Sequence, residues 1–253
     1  MKNKGIHDKF PFEKEEILGT GITTASPQDV YQFCKTVFDQ GAPAPVKIYT
    51  PNPEIVMKAE KDEQYRSVLN RGVLVVPDGI GVVLASRFRF GKIKKRITGI
   101  DLLEHLLSVA AESGKSVYLL GSRPGVAETA GVKMLEKYPG LIVSGTHHGY
   151  YNDEEEERLV DQIEAAKPDL LVVALGAPKQ EIFIDRYADR IGINAAIGVG
   201  GALDVWSGNV ERAPKFLSRI GLEWLYRVIK QPSRIPRLAI IPKFVFKSLF
   251  TRK

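Results

Sequence analysis

The polar side chains best placed for chemistry in this chain stand just behind short apolar runs. Five such segments recur: Thr50-Pro51-Asn52-Pro53-Glu54, Pro77-Asp78-Gly79-Ile80-Gly81, Gly121-Ser122-Arg123-Pro124-Gly125, Gly176-Ala177-Pro178-Lys179-Gln180-Glu181 and Gly198-Val199-Gly200-Gly201-Ala202-Leu203-Asp204. Glycine lets a backbone turn tightly and approach a ligand, and a helix that starts just afterwards favours an anion such as a diphosphate at its N-terminus. Loop geometry alone also asks for glycine and proline, so each segment is a weak signal and the recurrence is the informative observation. Asp78, after the apolar run at 73–76, is a candidate general base, with helix capping as the alternative reading. Thr50, Asn52 and Gln180 offer hydrogen-bonding groups to a polar substrate. Arg96, ahead of Thr98-Gly99-Ile100-Asp101, is a candidate for meeting a diphosphate, because guanidinium binds phosphate oxygens in a bidentate fork. Arg227, Arg234 and Arg237 near the C-terminus are further candidates, and for them a solvated or lipid-facing basic patch is the alternative.

The sequence also lacks several signatures. Gly198-Val199-Gly200 is followed by Leu203 where a dinucleotide fingerprint would carry its third glycine, and no G-x-x-x-x-G-K-[ST] occurs. No D-x-D pair is present to hold a divalent metal on a diphosphate, and His147 and His148 are adjacent rather than spaced for shared ligation. Neither a metal nor a cofactor is expected, so arginines must supply the charge that a departing diphosphate requires.

The elements that position these groups read as alternating strands and helices. Strands are expected at 46–49, 73–76, 116–120, 141–146, 170–175 and 195–199, and helices at about 54–70, 99–113, 124–138, 153–166 and 179–190. Ser26-Pro27 opens an earlier helix as N-cap and first-turn proline. Runs such as Leu170-Leu171-Val172-Val173-Ala174 show no polar alternation, which suits strands buried on both faces. The fold class is therefore α/β, a Rossmann-like, largely parallel sheet with flanking helices, and ligands should bind outside the carboxyl ends of its strands. Residues 1–211 are expected to form this catalytic domain and residues 212–253 a basic helical appendage.

Charge separates the two parts. The 253 residues carry 36 Lys and Arg against 30 Asp and Glu, a formal net charge of +6. Eight of the basic residues and none of the acidic ones fall between Trp224 and Lys253, interleaved with Ile, Leu, Val and Phe as in an amphipathic basic helix, expected to break near Pro242. That pattern points to an anionic membrane surface rather than to nucleic acid, which would spread positive charge over the fold. No apolar run approaches the ~18 residues a spanning helix needs, and the polar N-terminus lacks a signal-peptide core, so the expected location is cytoplasmic and peripheral on the inner face of the membrane. Cys34, the single cysteine, reads as a buried small hydrophobe. Self-association through apolar surface near the tail is left open.

Taken together, Thr50-Pro51-Asn52, Pro77-Asp78-Gly79, Arg96-x-Thr98-Gly99-x-Asp101, the 176–181 and 198–204 segments with Gly208, and Arg212-Ala213-Pro214 resemble the WecG/TagA/CpsF glycosyltransferase family, and within it the TagA branch. The resemblance spans about residues 17–237. It implies an inverting transfer of N-acetylmannosamine from UDP-ManNAc to C4 of the GlcNAc on undecaprenyl diphosphate, in wall teichoic acid linkage-unit synthesis. It further implies that Asp78 is the base, that Arg96 assists the diphosphate, and that Thr50, Asn52 and Gln180 line the pocket. Arg227, Arg234 and Arg237 would come from an appendage that closes over the pocket and targets the membrane. Two other readings stay open at this point: a nucleotide-sugar epimerase or hydrolase, and a non-catalytic membrane protein binding UDP-sugars or lipid phosphates.

Overall fold

A computed structural model describes residues 12–214, 216–217, 223–230 and 239–251. The described residues begin with an antiparallel hairpin, β1 (Lys14–Ile17) and β2 (Thr20–Thr23), followed by α1 (Pro27–Gln40). As the sequence indicates, Ser26 caps α1: its hydroxyl accepts from Asp29 N while the Asp29 carboxylate accepts from Ser26 N, a reciprocal capping box.

Strand β3 (Val46–Tyr49) follows, then α2 (Pro53–Lys61), α3 (Glu63–Asn70), β4 (Leu74–Val75) and α4 (Ile80–Phe88). The single helix expected at 54–70 is in fact two. Asp62 takes an extended backbone and turns its carboxylate back to accept from Tyr65 N at 2.9 Å, so it ends one helix and caps the next. The remaining units are α5 (Gly99–Glu112), β5 (Ser116–Gly121), α6 (Val126–Lys137), β6 (Ile142–His147), α7 (Asp153–Ala166), β7 (Leu170–Ala174), α8 (Lys179–Ile191), β8 (Ala195–Gly198) and α9 (Ala202–Trp206). All of these except α9, which was not expected from the sequence, match the expected positions to within two residues.

β3 to β8 form one six-stranded, all-parallel sheet in the order β4-β3-β8-β7-β5-β6. Apolar layers cover both faces, one gathering Phe33, Leu103 and Leu106 and the other Tyr49, Tyr65 and Ile184. This two-sided burial explains the uninterrupted apolar strands, of which β7 is wholly buried. Beside β4 lies the hairpin, where Thr23 Oγ1 accepts from Val75 N at 3.0 Å. From β5 the chain moves outward through α6 to β6, whereas from β7 it moves the other way through α8 to β8. The direction of winding therefore reverses between β5 and β7, which opens a crevice at their carboxyl ends.

In the C-terminal region α10 (Glu223–Lys230) includes the backbone of Arg227, while Arg234 and Arg237 lie outside the described residues. The last helix, α11 (Ile240–Phe250), packs on α4 and α2. Pro242 does not break it. The proline sits in the first turn, where its missing N–H costs no helical hydrogen bond. Phe244 and Ser248 are fully buried, and Lys247 pairs with Glu60 at 2.7 Å, so one side of α11 belongs to the folded body.

Candidate active site

The carboxyl ends of the strands carry two adjoining regions that meet at β8. The first lies behind β3 and β4 and holds four of the eight residues singled out in the sequence, Thr50, Asn52, Asp78 and Arg96. Asp78, half-buried, does not cap its own helix: α4 begins at Gly79 with no side-chain cap. Its Oδ2 instead accepts from Gly99 N, at 3.4 Å, at the first residue of α5. The carboxylate is thereby held by a helix N-terminus that belongs to a different unit. Ile97 N donates to Pro77 O at 3.0 Å, which lays the segment carrying Arg96 alongside the one carrying Asp78. Thr98 caps α5, accepting from Asp101 N, while Asp101 and Glu104 both pair with Arg212. Two motif segments distant in sequence, 96–101 and 212–214, are thus joined by an ion pair that fastens the start of the C-terminal region to α5.

The amide and hydroxyl candidates are largely engaged inside the protein. Asn52 caps α2, its Oδ1 accepting from Ile55 N at 3.1 Å, so what it can offer a ligand is its Nδ2 donors. Thr50 is buried and donates to Gly198 O at 2.9 Å, tying the end of β3 to the end of β8. A Cβ on Gly99 would stand 3.2 Å from Thr50 Oγ1, which explains a small residue at the start of α5. Gln180 is 2% exposed. Its Nε2 donates to Glu181 Oε1 at 2.7 Å and its Oε1 accepts from Gly200 N at 2.9 Å, while Tyr65 donates to Glu181 Oε2 at 3.0 Å. The result is a buried chain, Tyr65–Glu181–Gln180–Gly200, that fixes the 198–201 loop. Burial pushes the Glu181 carboxyl up from its ordinary value, against the pull of its two donors and of Lys58. Gln180 therefore shapes the site wall through the backbone of Gly200.

The second region is the crevice between β5 and β7, a cavity of about 890 Å³. Ser122 and Arg123 follow β5, Tyr150 and Asn152 follow β6, Gly176 to Lys179 follow β7, and Gly200, Gly201 and Asp204 follow β8. Its floor is set by close approach. At Gly121 φ is +133°, and a Cβ there would lie 2.4 Å from Ala174 O, so only glycine lets β5 and β7 converge at this point. Ser122 follows with φ +58°, a left-handed conformation disfavoured for serine, and its hydroxyl donates to Asp204 Oδ2 at 3.0 Å. Arg123 and Lys179 bring positive charge to this mouth, and Asp204 brings an acceptor. The five strand-end segments were legible in the sequence, but that Ser122, Arg123, Lys179 and Asp204 line one crevice was not, because only the strand order says which segments meet there. Spacing of about 4.8 Å between strands puts β4 roughly 14 Å from β7. An elongated ligand can therefore span from the cavity to Asp78.

Cys34 lies on the buried face of α1, 2% exposed, and burial pushes its thiol up to about 12, so it behaves as the inert hydrophobe expected. No three His, Cys, Asp or Glu residues gather as a metal cluster among the described residues, and no described helix is long and apolar enough to cross a membrane.

Comparison with known proteins gives a consistent result. The description "Glycosyl transferase WecG/TagA/CpsF family" matches residues 15–253. The chain is 40% identical over 206 residues, 81% of its length and 80% of the relative's, to the N-acetylglucosaminyldiphosphoundecaprenol N-acetyl-beta-D-mannosaminyltransferase of Bacillus subtilis strain 168. It is 36% identical over 242 residues, covering 96% of its length and 94% of the relative's, to the protein of the same name from Staphylococcus aureus strain MRSA252.

Proposed function

The chain belongs to the WecG/TagA/CpsF family of glycosyltransferases, and from that premise we propose that it transfers N-acetylmannosamine from UDP-N-acetylmannosamine to the C4 hydroxyl of GlcNAc-diphospho-undecaprenol. The product is a β-1,4 linkage in the linkage unit of wall teichoic acid. The observation that carries this reading is the match to a relative of that name over 96% of the chain, with the family match reaching residue 253.

The site's chemistry agrees with it. The cavity at the β5/β7 crevice suits the nucleoside diphosphate, with Asp204 and Ser122 meeting polar groups of the nucleoside and Arg123 and Lys179 meeting phosphate. The hexosamine then reaches past Gly200 toward Asn52 and Asp78. Asp78 takes the proton of the acceptor hydroxyl as that oxygen attacks the anomeric carbon from the face opposite UDP. The bond from the anomeric carbon to the β-phosphate oxygen breaks, and its electron pair leaves with UDP. Arg96, together with Arg227, Arg234 and Arg237 of the appendage, neutralises the charge that grows on the departing diphosphate, so the reaction runs without a divalent metal. The lipid-linked acceptor and the basic tail fit a peripheral position on the inner face of the membrane, with no role for nucleic acid.

Release of UDP from UDP-N-acetylmannosamine, measured with and without a GlcNAc-diphospholipid and repeated with EDTA, tests the reading. Turnover should require the acceptor and survive chelation. UDP release without acceptor would mark a hydrolase, conversion of the donor sugar without UDP release would mark an epimerase, and activity abolished by EDTA and restored by a divalent metal would remove the arginine-only account.

A further inference from the structure

Between Ser86 and Thr98 the body of the protein carries Arg87, Arg89, Lys92, Lys94, Lys95 and Arg96 and no acidic residue, interrupted by Phe88 and Phe90. The end of α4 and the turn after it display both aromatic rings, Phe88 56% exposed and Phe90 91% exposed. Phe90 also has φ +57°, a left-handed backbone that a bulky residue rarely adopts and that a turn needing only to turn would give to glycine or asparagine. The turn is held in place by its surroundings. The Glu15 carboxylate accepts from Ser86 Oγ at 2.7 Å, Lys92 N at 2.8 Å and Ile93 N at 3.3 Å, and it sits where a Cβ on Gly91 would fall. A strained aromatic held out into solvent by a built clamp points to a partner for the ring.

The neighbouring helix says which partner. Ile241 packs against Gly81 at the start of α4, and Lys247 reaches Glu60 near the end of α2, whose first residue Pro53 also packs on Gly81. α11 therefore meets α4 at the first turn of each, and the two helices pack on one another. The outer face of α11 presents Phe246 and Phe250, 66% and 73% exposed with ring centroids 4.6 Å apart, and Lys243 is exposed on the same helix. Two adjacent elements thus offer exposed phenylalanines among exposed cations, the combination that suits an interface of acyl chains beneath anionic headgroups.

We propose that the 87–95 turn and the outer face of α11 form one membrane-docking surface, in which Phe88 and Phe90 enter the interface of an anionic bilayer and Arg87, Lys94 and Lys95 meet lipid phosphates. Docking is then a property of the α/β body as well as of the tail. Because Arg96 follows this turn directly, bilayer contact is made within a few residues of the candidate site. The proposal does not depend on the transfer reaction, since docking is read without substrate.

The test uses the full chain and sedimentation with vesicles of phosphatidylglycerol and phosphatidylcholine, against vesicles of phosphatidylcholine alone. Phe90→Gly should lower partition into the anionic vesicles tenfold or more while the Tm stays equal or rises, because glycine relieves the left-handed backbone. Lys94→Glu with Lys95→Glu should lower it at least as far and flatten its salt dependence. UDP release with a water-soluble acceptor should be unchanged in both. Phe90→Trp should keep binding and show a blue-shifted emission on adding vesicles, read as the difference from the parent protein. Unchanged vesicle binding by Phe90→Gly overturns the proposal. So does a change in oligomeric mass at equal vesicle binding, which would make the patch a self-association surface, or preferential retention on single-stranded nucleic acid.

Discussion

Asp78 and Asn52 illustrate how a side chain's hydrogen bonds divide its roles. The Asp78 carboxylate is positioned by Gly99 N, a bond that an amide oxygen can replace. Asp78→Asn should therefore keep the Tm of the parent while kcat falls by about 10²–10⁴-fold, the usual worth of a positioned base. Thermal unfolding and UDP release measured side by side check this, and turnover within a few-fold of the parent would take Asp78 out of the role. For Asn52 the cap uses Oδ1, whereas the proposed ligand contact would use Nδ2. Asn52→Asp preserves the cap and so the stability, whereas Asn52→Ala should cost about 1 kcal/mol. Both lose the Nδ2 donors, so both should raise the KM for the donor sugar. A raised KM in Asn52→Ala alone would mean that Asn52 acts only through α2.

Elements are tied together at this site by buried polar bonds, and the chain from Tyr65 on α3 through Glu181 and Gln180 on α8 to Gly200 behind β8 is the main one. It has a pH signature. The folded-state pKa of Glu181 is raised, chiefly by burial, so above the ordinary glutamate range near 4.5 the native state binds more proton than the unfolded state. Stability contributed by this group is present at low pH and is lost as pH rises from about 4.5 toward the raised value. Glu181→Gln, which mimics the protonated carboxyl, should remove that loss. In urea titrations the parent should therefore fall relative to the variant as pH increases, and a gap independent of pH would refute the assignment. Helix α11 shows the same principle in apolar form. Phe244 is 0% exposed, and a buried phenylalanine cut to alanine costs about 3–5 kcal/mol, so this segment is part of the fold and not a detachable anchor.

For the molecule as a whole, this means that deleting the tail would test the fold as much as the chemistry. Substituting Arg227, Arg234 and Arg237 together by alanine is the cleaner experiment. Charge that grows only in the transition state makes such arginines matter more to turnover than to donor binding, so kcat should drop by about 10²-fold with a much smaller change in the donor's Kd. Equal losses in both would assign them to ground-state binding. The parallel α/β class, the strand positions to within two residues, the cap at Ser26 and the glycine-rich strand ends were all legible in the sequence, because they follow from local periodicity and turn chemistry. So was the family, through motifs scattered along the chain. The hairpin at 14–23 and helix α4 were not, since each depends on a partner far away in sequence, Thr23 with Val75 and α4 with α11; the split at Asp62 rests on a local cap to Tyr65 N that the unbroken helical period of 54–70 conceals. The residue types at the site could likewise be named in advance, but whether an amide faces a ligand or its own backbone could not. Asn52 and Gln180 have the same functional group, and packing alone decides that one is half-buried and uses its oxygen to cap α2 while the other is buried with both ends of its amide on Glu181 and Gly200. Sequence determined which groups stand at the strand ends. The order β4-β3-β8-β7-β5-β6, fixed only when distant strands pair, decided which of them share a site.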